Sequence, residues 1–116
     1  MKSTIKASLA ALALTAALPA AASAHAALEG TFPANGSTVS SSVKTITVRF
    51  DEAVLTGTLS VKTASGTAVP VSVRQKGAKI TGTLGRKLTA GRYRVTWRAR
   101  ADDGHRETGS FSFRVR

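Results

Sequence analysis

Between Gly91 and Arg100 the chain alternates strictly: Tyr93, Val95, Trp97 and Ala99 fall on one side, and Arg92, Arg94, Thr96, Arg98 and Arg100 on the other. A helix cannot sort this pattern, because its side chains return to one face only every three or four residues. A strand turns successive side chains to opposite faces. The stretch therefore requires a strand with one face in a core and the other in water. Residues 43–50 repeat the period, with Ile46, Val48 and Phe50 inward and Thr45, Thr47 and Arg49 outward. Residues 108–115 do so again, with Phe111, Phe113 and Val115 inward.

Weaker runs fill the intervals. Residues 26–31 read as a short strand, and residues 59–63, 69–74 and 79–84 as three more, the last weakened by Gly82. Turn chemistry separates them at Pro33 to Ser37, at 64–67, at 75–77 and at 102–105. About seven short strands at regular spacing, with few helix-forming windows and no internal repeat, indicate an antiparallel sandwich or barrel. Trp97 reads as a core anchor. Leu88-x-x-Gly91-x-Tyr93 enters the strongest strand like the tyrosine corner of immunoglobulin-like sandwiches.

The first 24 residues follow a different rule. Lys2 and Lys6 precede an apolar run from Leu9 to Leu18, and Pro19 to Ala24 supply a small-residue exit ending in Ala22-Ser23-Ala24. That is the pattern of a cleaved signal peptide. An uncleaved anchor or a soluble helix are the alternatives, but the run is short of the roughly 20 residues a span needs and no basic stop-transfer flank follows. The expectation is one exported domain, residues 25–116, periplasmic or secreted. It has no cysteine, so its stability must come from core and backbone pairing rather than disulfides.

Seventeen Lys and Arg face six Asp and Glu, for a net charge of +11, with two of the cations in the leader. The arginines are interleaved with apolar residues rather than bunched, which suits a solvated or anion-attracting strand face. Basic motifs with interleaved aromatics are lacking, so nucleic acid is not the expected partner.

Groups able to do chemistry are few. No G-x-S-x-G elbow is present for a serine hydrolase. Cleavage after Ala24 would make His25 the first residue, carrying an α-amine and an imidazole that close on one ion as a chelate. The other histidine, His105, follows Asp103-Gly104. Taken alone, Asp-Gly-His is a turn with an exposed histidine. Together, the amine and imidazole of His25, the imidazole of His105 and the carboxylate of Asp103 form a nitrogen and hard-oxygen set suited to Cu(II). Such a site needs a deprotonated amine, whose free pKa is about 7.7–8.0, so affinity should fall with pH.

These residues, with Pro33-Ala34-x-Gly36-Ser37, Phe50-Asp51-Glu52-Ala53-Val54, Leu88-x-x-Gly91-x-Tyr93-x-Val95-x-Trp97-Arg98 and Gly109-Ser110-Phe111-Ser112-Phe113, resemble the CopC family of periplasmic copper-binding proteins. The resemblance covers essentially all of residues 25–116. It implies an all-β, seven-stranded, immunoglobulin-like Greek-key sandwich. It also implies that His25, Asp103 and His105 hold Cu(II), and that Glu52 stands near the metal as a weak axial or supporting group. Some members add a methionine-rich Cu(I) site. Here the one methionine is Met1, so soft ligands are missing and a Cu(II)-only protein is expected.

The resulting expectation is a monomeric, non-catalytic copper protein serving sequestration, tolerance or delivery, with a membrane copper transporter as candidate partner. Two rivals stand beside it. A copper-dependent polysaccharide monooxygenase also binds copper through an N-terminal histidine, but keeps positions open for oxygen and presents a flat substrate surface. The other is a metal-free immunoglobulin-like interaction module.

Overall fold

Period-two alternation becomes nine strands in a computed structural model that describes residues 26–116. They are β1 (Leu28–Phe32), β2 (Thr38–Val39), β3 (Thr45–Phe50), β4 (Val54–Thr63), β5 (Ala68–Val69), β6 (Val71–Lys76), β7 (Lys79–Leu84), β8 (Gly91–Ala101) and β9 (Arg106–Val115). No helix occurs among the described residues. Four strands form one sheet in the order β1-β3-β7-β6, and five form the other in the order β2-β9-β8-β4-β5. The all-β sandwich is as expected. Seven strands have five or more residues, and the two extra ones, β2 and β5, are two-residue segments at the edges of the five-stranded sheet. Every pairing is antiparallel except that of β2 with β9.

Two strand limits differ from the sequence expectation for identifiable reasons. The run 69–74 is not one strand. Pro70 lacks the N–H that a continuing ladder would need, and the chain changes sheets there, from β5 to β6. The first half of β4, where Thr56-Gly57-Thr58 offers little alternation, is a strand because β8 supplies partners as far as Val54↔Ala101. Tertiary pairing overrides weak local preference there.

The inward faces meet as the alternation requires. Ile46, Val48 and Phe50 pack with Leu59, Val61, Ile80, Tyr93, Val95, Trp97, Phe111, Phe113 and Val115 in one core. Each large side chain so buried contributes about 1.5–3 kcal/mol. Trp97 meets Phe50 of the other sheet edge to face, with ring centroids 5.2 Å apart and planes at 76°, which suits the ring quadrupoles. The tyrosine corner is present: the Tyr93 hydroxyl donates to the Thr89 carbonyl at 2.8 Å, above a buried Leu88.

Gly109 lies directly across from Trp97 in the β8–β9 ladder. A Cβ there would stand 2.5 Å from Trp97 Cζ2 and 2.6 Å from Cε2. The indole therefore occupies the space that any larger residue would claim, an aromatic lying over a strand glycine. Gly109→Ala is expected to lose about 1–3 kcal/mol by overpacking, measured by urea unfolding. Gly30→Ala, with nothing within 4 Å of its Cβ position, should lose none. In the same assay Tyr93→Phe should lose about 1 kcal/mol with its hydrogen bond.

Candidate metal centre

The end of the sandwich where β3 hands over to β4 gathers the start of the described chain and the loop that bears Asp103 and His105. At that end the Ala27 amide donates to Asp51 Oδ1 at 2.7 Å, and the Asp51 amide donates to the Ala27 carbonyl at 2.9 Å. This reciprocal pair pins the start of the described chain to the end of β3, and it places Ala26, 1 % exposed, in the core. Asp51 thus does more than end a strand. Its latch on a residue 24 positions earlier leaves no local signature.

Residues 51–53 then cross between the sheets. The Val54 amide donates to the Gly77 carbonyl at 3.0 Å, and Gln75 Nε2 donates to the carbonyls of Val54 and Gly77 at 2.9 and 3.0 Å. These bonds fix where β4 begins. Because Val54 pairs with Ala101, the loop after β8 lies beside the crossing.

That loop is a tight turn, as its Asp-Gly pair indicates. The Gly104 amide donates to the Ala101 carbonyl at 2.9 Å, and the Ala101 amide donates to the His105 carbonyl at 2.9 Å. Gly104 takes φ +87°, a left-handed conformation that a side chain would disfavour. The turn folds Asp103 onto His105. Asp103 Oδ1 accepts the His105 backbone N–H at 2.9 Å, and Oδ2 lies 2.5 Å from Nδ1 of the ring.

An ionised carboxylate only accepts, so Nδ1 carries the proton in this pair. The lone pair of the neutral ring then resides on Nε2. A carboxylate holding one ring nitrogen so that the other faces a metal is the usual support for a ligating histidine. The His105 side chain is 62 % exposed and that of Asp103 24 %, so a dissolved ion has access to both. Glu52 is exposed at the same end, in the 51–53 crossing, but outside the hydrogen-bonded Asp103–His105 pair.

His25 lies outside the described residues. Among those described, no group of three or more His, Cys, Asp or Glu side chains is gathered to hold a metal. Asp103 and His105 thus stand as a hydrogen-bonded pair at the end of the sandwich where Ala26 is pinned. Asp51→Ala should release residues 26–27 from β3, with faster amide exchange at Ala27 and a loss of about 1 kcal/mol for an exposed bond of this kind. Hydrogen-exchange mass spectrometry reads the first effect and urea unfolding the second.

Comparison with protein families matches residues 28–116 to the CopC domain. Among solved structures, the chain is similar to CopC from Methylosinus trichosporium OB3b, at 25 % identity and a TM-score of 0.72, covering 78 % of this chain and 93 % of that one. It is also similar to PcoC, a methionine-rich copper resistance protein from Escherichia coli. There the identity is 26 % and the TM-score 0.72, covering 79 % of this chain and 99 % of that one. Comparison with curated proteins gives no match.

Proposed function

The chain belongs to the CopC family, and on that membership we propose that it is an exported protein that binds Cu(II) through His25, Asp103 and His105. In this reading residues 1–24 are removed on export, and the new terminus supplies an amine and an imidazole from one residue. His105 adds its Nε2. Asp103 both orients that ring and offers its remaining oxygen lone pairs to the ion, while Glu52 stands by as a weak axial or supporting group. One observation carries the reading: the residue after His25 is fixed at the same end of the sandwich as the carboxylate-oriented His105.

Copper is cargo here, and no catalytic residue is assigned. The donors are nitrogen and hard oxygen, which favour Cu(II) over Cu(I). PcoC is described as methionine rich, whereas this chain has one methionine, Met1, so no thioether site for Cu(I) can form in residues 25–116. The protein would act as a monomer in sequestration, tolerance or delivery, with a membrane copper transporter as recipient in the last case.

Cu(II) titration of two preparations tests the chelate, one beginning at His25 and one with a single residue before it. Affinity should fall by at least about tenfold in the second. Equal tight binding by both would sink the proposal. His105→Ala should weaken Cu(II) binding by a similar factor without altering the unfolding midpoint of the apoprotein. Neither preparation should take up Cu(I) tightly.

A further inference from the structure

The outward face of β4, β8 and β9 carries a charge arrangement that the copper reading does not use. Along β8 it presents Arg92, Arg94, Thr96, Arg98 and Arg100, all of them outward in register. Beside them β9 contributes Arg106 and Arg114, and β4 contributes Lys62. The remaining positions of this face are Thr56, Thr58, Ser60, Thr108, Ser110 and Ser112. Seven cations thus stand among hydroxyls over three strands and about 27 Å of strand length.

Three of the cross-strand pairs on this face are like-charged and directly opposite: Arg92↔Arg114, Arg100↔Arg106 and Lys62↔Arg94. Such pairs destabilise a sheet. Among the described residues no ion pair neutralises any of the seven; Arg94 donates to the Ser110 hydroxyl at 2.9 Å, a neutral partner. The carboxylates lie elsewhere. Glu29, Asp51 and Glu52 belong to β1 and the β3–β4 crossing, Asp102 and Asp103 to the hairpin loop, and Glu107 to the opposite register of β9, across from Ala99. An isolated fold gains nothing from this self-repelling array; a matching plane of negative charge would relieve it.

We propose that this face docks on an anionic phospholipid bilayer. The array is broad and carries no exposed aromatic, so it lacks the stacking platforms of single-stranded nucleic-acid binders. It also lacks a protruding element to enter a duplex groove. Many guanidinium groups on a sheet face fit a plane of phosphates, each taking bidentate hydrogen bonds. Near the hairpin end the face dips into a depression of about 650 Å³ lined by Thr56, Thr58, Arg98, Arg100, Arg106, Thr108 and Glu107 among others. Three guanidiniums against one carboxylate, with three hydroxyls, leave a net positive seat for one phosphate headgroup. Docking by this face would lay β8 along the membrane, with the 102–105 loop at the bilayer margin.

Co-sedimentation with vesicles tests the proposal. The wild-type chain should bind vesicles of phosphatidylcholine mixed with phosphatidylglycerol, not phosphatidylcholine alone, and release as salt shortens the screening length. The variant R92Q/R94Q/R98Q/R100Q should bind at least about a hundredfold more weakly, at about fivefold per charge removed near an anionic surface. A matched variant on the other sheet, R49Q/R74Q/K76Q/K79Q, should lose little. Both variants must retain the wild-type near-ultraviolet signal of Trp97. R106Q/R114Q, on β9, gives a second, smaller loss in the same direction should the β8 variant fail to fold. Equal losses from the two quadruple variants would mean that net charge, not this face, binds lipid, and would overturn the proposal. Binding to phosphatidylcholine alone as tight as to the mixture, or tighter binding to DNA than to the anionic vesicles, would overturn it too. The copper reading stands apart from this result, since none of the substituted residues is a proposed donor and Cu(II) titration of the β8 variant should match wild type.

Discussion

The three-residue crossing from β3 to β4 is the constraint on which the functional end depends. The crossing residues Asp51, Glu52 and Ala53 are exposed, and the strand ends they join are fixed by hydrogen-bonding partners. Gly77, Gln75 and Ala27 provide them. The Ala27 partnership is the consequential one, because it ties the start of the described chain to the boundary. The same crossing sets Val54 against Ala101 and so fixes the position of the hairpin loop. An N-terminal segment and a loop some 75 residues later come together because both are anchored to one crossing.

Asp103 has two tasks in the proposed centre, and their order matters. Its carboxylate is first a conformational device: it satisfies the His105 amide and holds the imidazole by Nδ1, which leaves the lone pair of the neutral ring on Nε2. Whatever it gives the ion directly comes from lone pairs beyond those two bonds. A histidine on an exposed loop would otherwise spend conformational entropy on binding. Here the turn, with Gly104 in its left-handed conformation, has met that cost in folding.

Most of the fold was legible because its alternation is strong where the core is. Ile46, Val48 and Phe50, the Tyr93 to Ala99 series, and Phe111, Phe113 and Val115 all point inward as their period requires. What could not be read were features made by partners distant in sequence. Gly57 to Thr58 is strand only because β8 lies beside it. Gly109 is required by the Trp97 indole across the ladder. Pro70 lies inside a run that reads as one strand, and that the chain breaks and changes sheets there came only from the sheet order.

At the candidate centre the division is sharper. Residue types identified His105 and Asp103 as candidates, the family resemblance added Glu52, and small-residue processing chemistry identified His25, since donor sets and cleavage patterns are properties of local sequence. That Asp103 and His105 lie at the end where the incoming chain is held, by the Asp51 latch as well as by the buried Ala26, depended on the crossing between sheets. Strand order brings distant segments together through hydrogen bonds that no local pattern encodes, and the geometry of a site follows from that order.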